Sequence, residues 1–155
     1  MRSMVRIGER VRRGAPYELD ARALAAELKR EIEGEVRFGT GDRALYANDA
    51  SVYRQVPIGV VVPRSVGDVV ATVAACRRHG APIFGRGGGT GLAGQSVNDG
   101  VLIDFSKYLN EILELDPEHG YARVQPGIIL DVLRNAAEEH NLTFGPDPAT
   151  HSRCT

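Results

Sequence analysis

Cysteine, lysine and net charge are all scarce in this sequence. Its two cysteines, Cys76 and Cys154, lack a Cys-x-x-Cys spacing, and its four histidines are scattered. That pattern supports neither a disulfide framework nor a metal site, and makes a reducing compartment the default. A formal net charge of −1 gives no global field for nucleic acid or an anionic membrane. Lys29 and Lys107 are the only lysines, so almost all positive charge is arginine; this reads as compositional bias rather than many separate guanidinium functions. No apolar run reaches the roughly 18 residues of a membrane span. The arginine-rich start, Met1 to Arg13, lacks the apolar core of a secretory signal. The expected location is cytoplasmic, with peripheral attachment to an inner membrane left open for a longer chain.

Glycine, by contrast, is concentrated. In the stretch from Gly85 to Ser96, six of the first ten residues are glycine, and short apolar runs flank it. Without a Cβ, these residues admit positive φ and close approach of backbone to a ligand. Successive bare amides in such turns form an anion-binding concavity suited to phosphate or pyrophosphate. Thr90 and Ser96 add hydroxyls and Arg86 a fixed positive charge. A flexible, solvated surface loop is the alternative, but ordering six glycines costs much backbone entropy, and Leu92 and Ala93 are poor linker residues. Gly89-Thr90-Gly91-Leu92-Ala93-Gly94 spells G-x-G-x-x-G, a fingerprint that carries meaning only between a strand and a helix. Here a strand precedes, but a turn (95–100) and a second strand-like run, Val101–Phe105, follow. A Rossmann reading therefore fails, and a Walker A reading fails because no Gly-Lys-Ser/Thr follows. The loop joins strand to strand, and its own amides must do the binding.

With 155 residues, the chain is one domain or a large part of one, able to bury roughly 70% of its unfolded surface. Residues 1–16 read as a flexible basic arm. Asp20 caps a helix to about Glu33, with Leu24, Leu28 and Ile32 on one face, expected at the domain's edge. Residues 34–58 read as loop with one helical turn; around Tyr46-Ala47-Asn48-Asp49 a substrate contact is open, but packing is the favoured account of Tyr46 and Tyr53. Val60–Val62 is a buried strand stopped by Pro63. Ser65 and Asp68 form a capping box for a helix on which Val66, Val69, Val70 and Val73 recur, ended by Gly80. Cys76 reads as a buried small residue. With the strand starting at Ala81, the unit is a parallel, right-handed βαβ crossover. Ile112–Leu115 and Tyr121–Val124 form an antiparallel hairpin with Glu114 and Arg123 outward. Ile129, Val132, Leu133, Ala136 and Ala137 line a second amphipathic helix with Asn141 as left-handed cap. Leu142–Phe144 is expected as a last short strand, and Gly145-Pro146-Asp147-Pro148 as a rigid extended turn. Thr155 is an odd place for a domain to end.

In this order and spacing, Val62-Pro63-Arg64-Ser65, the 85–94 loop, Val101–Phe105, Val124-Gln125-Pro126-Gly127 and Pro146-Asp147-Pro148 resemble the first half of the FAD-binding domain of the FAD-linked oxidases. This is the PCMH-type, vanillyl-alcohol-oxidase-like superfamily. The resemblance covers residues 57–155, with residues 17–56 as a preceding helical and loop segment, and a looser match at 46–53. It is nearest to the D-2-hydroxyacid dehydrogenases of D-lactate, glycolate or D-2-hydroxyglutarate type. The fold class implied is α+β: a small parallel βαβ subdomain followed by an antiparallel strand-rich α+β subdomain, incomplete at its C-terminus. His151-Ser152-Arg153-Cys154-Thr155 resembles the lead-in to a second glycine-rich FAD segment.

The resemblance implies FAD as cofactor, with Gly87, Gly88, Gly89, Thr90, Gly91 and Ser96 as pyrophosphate contacts. Arg86, Gln95, Pro63, Pro146 and Asp147 are implied nearby; Asp147 reads equally as a turn residue capping its own backbone. Relatives that attach FAD covalently carry a histidine where this chain has Thr90, so attachment is expected to be non-covalent. The implied reaction passes a hydride from the Cα of a D-2-hydroxy acid to the flavin, leaving the 2-oxo acid. No residue here is a credible catalytic base; the resemblance places base and substrate ligands beyond Thr155, and the isolated chain is expected to be inactive. An electron acceptor, an iron–sulfur region in longer members and a homo-oligomer are the other implied partners. Two alternatives stand beside this reading. One is a flavoenzyme resembling UDP-N-acetylenolpyruvoylglucosamine reductase, disfavoured because that family has Ser-Asn where this chain has Thr90-Gly91. The other is a non-catalytic phosphate- or nucleotide-binding module.

Overall fold

Asp20 starts the first helix: its carboxylate accepts from the amides of Arg22 (3.0 Å) and Ala23 (2.9 Å), satisfying donors that a helix start leaves open. The structure, a computed structural model, describes residues 19–155; the arm expected over 1–16 lies outside them. The elements in chain order are α1 (Ala21–Glu31), β1 (Glu35–Arg37), α2 (Thr40–Leu45), β2 (Gly59–Val62), α3 (Val66–Arg78), β3 (Ile83–Arg86), β4 (Val101–Asp104), β5 (Ile112–Asp116), β6 (Tyr121–Val124) and α4 (Leu130–Glu138).

One sheet has the order β1-β2-β4-β3 and a second pairs β5 with β6. β2, β4 and β3 run parallel, and β1 lies antiparallel on the β2 edge. β2 and β4 are buried along their whole length, as expected of β-branched and aliphatic strands covered on both faces. Alternation sends Val61 and Val101 toward Leu24, Leu28, Ile32, Ala75 and Cys76 of the helices. Val60, Val62 and Leu102 point the other way, against Tyr46, Phe84 and Tyr108. The parallel relation expected of β2 and β3 holds, but β4 is inserted between them. The link from β3 to its neighbour β4 is the glycine-rich stretch 87–100, without the helix that usually crosses between parallel strands.

Several sequence expectations change. α1 is part of the core, with Leu24 and Leu28 fully buried, because α1 packs on α3. Arg78 reaches Glu31 (2.8 Å), and His79 Nε2 lies 2.8 Å from Glu27. The span read as loop with one helical turn also holds β1, a strand made by pairing with β2 rather than by apolar pattern. In α3 the valine recurrence is the outer face: Val66 and Val70 are more than 60% exposed, and Asp68, Thr72, Ala75 and Cys76 face inward. Ser65 caps the Asp68 amide at 3.1 Å as expected. The Asp68 carboxylate instead takes the amides of Arg64 (2.8 Å) and, from the end of α1, Glu33 (3.1 Å), tying two helices together. Along α4, Leu130 and Ala137 are buried, while Ile129 and Val132 are exposed. Leu142–Phe144 forms no strand.

Other expectations hold. Gly80 and Asn141 adopt positive φ at the ends of α3 and α4. In the hairpin, Glu114 pairs with Arg123, both side chains largely outward and 3.5 Å apart. A register shift between Ile112 and Glu114 leaves Leu113 exposed. Burial raises the Cys76 thiol to about 11, which keeps it protonated and unreactive.

Candidate functional site

The carboxyl ends of the parallel strands bring Pro63, Asp104 and Arg86 to one edge of the sheet. From there the chain leaves β3 into the glycine-rich loop. Gly89 and Gly94 have φ of 64° and 79°, values a side chain would strain. The loop walls a concavity of about 300 Å³ formed by Gly85 to Gly91, Gln95, Ser96 and Thr155. Among the described residues, the amides of Gly87 to Leu92 have no protein acceptor. Six consecutive donors left open beside a cation fit the oxygens of a phosphate or pyrophosphate. The backbones are also close: a Cβ on Gly88 would stand 2.1 Å from the Arg153 carbonyl oxygen.

Arg86 anchors the loop's first turn. Its Nη1 donates to the carbonyls of Asn48 (2.8 Å) and Ser96 (3.4 Å), and its guanidinium lies over the Tyr46 ring at 5.6 Å. Bonding to carbonyls leaves its charge available to an anion. Tyr46 donates to the buried Asp104 at 2.8 Å; burial first, and that carboxylate second, push its phenol to about 12. Tyr46 is thus a packed residue, as favoured from the sequence. Tyr53 is 58% exposed, yet its ring covers Gly94, where a Cβ would meet it at 2.7 Å.

The turn at 48–54, closed by an Asn48–Arg54 bridge, supplies contacts that sequence reasoning missed. The Ala50 amide donates to the Gly89 carbonyl at 3.1 Å. Asp49 accepts from the Ser96 hydroxyl at 3.0 Å and from the Ser51 amide at 2.9 Å. Hydrogen bonds from Ser51 and then Ser96 hold its carboxyl at about 2. The only sequence signal was the presence of Asp49 in the loosely matched segment.

On the opposite side, residues 145–155 are held by α4. Arg134 donates to the Asp147 carboxylate (2.8 Å) and the Pro146 carbonyl (2.9 Å), and this ion pair lowers the Asp147 carboxyl from its ordinary value. The first α4 amides, Leu130 and Asp131, donate to the carbonyls of Cys154 (3.0 Å) and His151 (3.3 Å). His151 Nδ1 lies 2.7 Å from Asp131. Pro146, Cys154 and Thr155 line a second, apolar cavity of about 500 Å³ with Val124, Ile128 and Leu133. Thr155 borders both cavities. Of the residues singled out from the sequence, Arg86, Gly87 to Gly91, Gln95 and Ser96 come together in the loop concavity. Pro146 borders the apolar cavity, while the buried Pro63 and the exposed Asp147 border neither.

Residues 57–155 match the family described as FAD binding domain. D-2-hydroxyglutarate dehydrogenase of Escherichia coli (strain K12) is 39% identical over 133 residues, covering 83% of this chain and 13% of that protein. The glycolate oxidase subunit GlcD of the same strain is 34% identical over 146 residues, covering 92% of this chain and 29% of that one. This chain thus spans less than a third of the length of these relatives. Among solved structures, p-cresol methylhydroxylase with substrate bound superposes with a TM-score of 0.72 at 21% identity, over 86% of this chain and 27% of that one; this likeness is one of fold. Among the described residues, no helix is long and apolar enough to cross a membrane.

Proposed function

The chain belongs to the FAD binding domain family, and on that premise we propose that it is the N-terminal cofactor-binding portion of a flavin-dependent oxidoreductase acting on the CH–OH group of a D-2-hydroxy acid. The observation that carries the reading is the open row of amides from Gly87 to Leu92 beside Arg86. FAD carries a diphosphate, and such a row hydrogen-bonds its oxygens without a metal or a lysine. Gly87 to Gly91, Gln95 and Ser96 hold the diphosphate through the main chain, and Arg86 adds charge. Pro63, Pro146 and Asp147 belong to the surrounding wall. Attachment is non-covalent, since Thr90 is no nucleophile toward a flavin methyl group. The bound flavin supplies two-electron redox chemistry, and the protein supplies binding and orientation.

The division of labour within the chain follows. Residues 57–155 form the cofactor-binding unit, and the segment before it contributes α1, β1 and the 48–54 turn. Arg134, Asp131 and the α4 amides keep residues 146–155 against the loop. No proton acceptor for the substrate hydroxyl is assigned within this chain. The two relatives named above are a D-2-hydroxyglutarate dehydrogenase and a glycolate oxidase subunit, which supports a hydroxy acid as the substrate class.

The test is the visible spectrum of the purified chain, and of a chain extended past Thr155, after FAD is added and the excess removed by gel filtration. Retained flavin released by acid or heat supports non-covalent FAD. Anaerobic bleaching of the extended chain by D-lactate, glycolate or D-2-hydroxyglutarate supports the substrate class. Absence of flavin from both chains contradicts the reading.

A further inference from the structure

Between Asp49 and Ser96 runs a hydrogen bond of 3.0 Å that joins two stretches 47 positions apart. An ionised carboxylate only accepts hydrogen bonds. With the Asp49 carboxyl held at about 2, Ser96 must be the donor at neutral pH. The hydroxyl proton of Ser96 therefore points at Asp49 and away from the concavity that Ser96 helps to wall. Three neighbouring contacts act on the same loop: Ala50 N–H on the Gly89 carbonyl, Arg86 on the Asn48 carbonyl, and the Tyr53 ring over Gly94. Asp49 is itself fixed by the Ser51 amide, and the Tyr53 amide donates to the Ser51 hydroxyl at 3.1 Å. The turn at 48–54 thus grips the loop near both of its ends.

We propose that Asp49 is a positioning residue for the glycine-rich loop: it fixes the Ser96 hydroxyl and, through it, the loop's return toward β4, so that the Gly87–Leu92 amides face the ligand before it arrives. Resting on the FAD reading, this assigns the diphosphate to the loop amides and Arg86. It leaves Ser96 with its hydroxyl lone pairs toward the concavity, able to accept from a hydroxyl or N–H of the ligand. A negative charge beside a diphosphate site opposes anion binding by itself, so its presence there calls for an ordering role.

The test compares wild type with Asp49→Ala, Asp49→Asn and Ser96→Ala. Amide hydrogen exchange of residues 87–97 is followed without ligand, FAD affinity by quenching of flavin fluorescence, and the thermal midpoint alongside. Loss of a hydrogen bond to a charged group predicts about tenfold faster loop exchange and about tenfold weaker FAD binding in Asp49→Ala. Ser96→Ala should loosen the loop similarly, and serves as the second variant if Asp49→Ala does not fold. Asp49→Asn keeps an acceptor oxygen and should recover most of the loss. Unchanged loop exchange in both alanine variants overturns the proposal. So does tighter FAD binding in Asp49→Asn than in wild type, the result expected of a purely repulsive charge. Faster exchange spread equally through β2 and β4 would make the role one of general stability, and overturns it too. If wild type binds no FAD, the cofactor reading falls, while loop exchange still decides the role of Asp49.

Discussion

Among the described residues, both buried apolar clusters take their buried members from residues 24–102. Residues 105–155 contribute no buried member to either cluster and instead surround an apolar cavity of about 500 Å³. The first region is built on a sheet whose two central strands, β2 and β4, are apolar runs buried along their whole length. The second is a hairpin, a helix and the 145–155 segment, the last held to the helix by main-chain and ionic contacts. The glycine-rich loop lies where they meet, with its roots in the rigid sheet and its outer wall formed by the looser segment. One loop thereby combines a fixed frame with close backbone approach: the frame comes from β3 and β4, the approach from residues 153–155.

Truncating one side chain in each region separates the two most strongly. Leu28→Ala removes a fully buried residue and should cost about 3 kcal/mol in urea denaturation. Phe144→Ala, at a side chain 47% exposed, should cost less than about 1 kcal/mol. Equal losses would mean the two regions share one core. Next in size is Gly127→Ala, at the junction. A Cβ there would stand 2.2 Å from the Phe105 carbonyl oxygen and 2.7 Å from that of Leu109, so a loss of about 2 kcal/mol is expected.

Gly88→Ala acts at the site itself. Its Cβ would push on the Arg153 carbonyl, displacing the outer wall while leaving the sheet intact. FAD affinity should fall at least about tenfold, as expected when backbone can no longer approach the ligand, with little change in thermal midpoint. A smaller effect lies in acid. Glu35 is bonded by Lys107 first, then Tyr108 and Arg37, which bring its carboxyl from 4.5 to about 2. Because the folded-state value is the lower one, this stabilisation is full above about pH 4.5 and is lost as the pH falls toward 2. Glu35→Gln should therefore lower the thermal midpoint at pH 6 and leave it nearly unchanged at pH 2. Least of all, Arg123→Ala removes an exposed ion pair to Glu114 and should shift stability by less than about 0.5 kcal/mol.

Local signals in the sequence located the loop, both buried strands, the Ser65 cap and the Asn141 turn, because each depends on residues within a few positions of one another. What escaped depends on distant partners. β1 is a three-residue strand, Glu35–Arg37, whose extended form comes from its ladder with β2. In α3 the recurring valines suggested a buried face, but the polar Asp68 and Thr72 lie inside because their hydrogen bonds are made there: Asp68 to Arg64 and Glu33, and Thr72 to the Asp68 carbonyl. Leu142–Phe144 had strand-like composition but finds no neighbour to pair with. Asp49 and Ser96 are joined across the whole β2-α3-β3 unit, a contact that no periodicity shows.

The loop between β3 and β4 is proposed as the diphosphate cradle. Backbone amide NMR of the labelled chain, titrated with FAD and with ADP, tests it most directly. Saturable shifts are expected at Gly87, Gly88, Gly89, Thr90 and Gly91 with both ligands, since both carry the diphosphate. Shifts confined to the apolar cavity around Ile128 and Leu133, or no shifts in the loop, would contradict it.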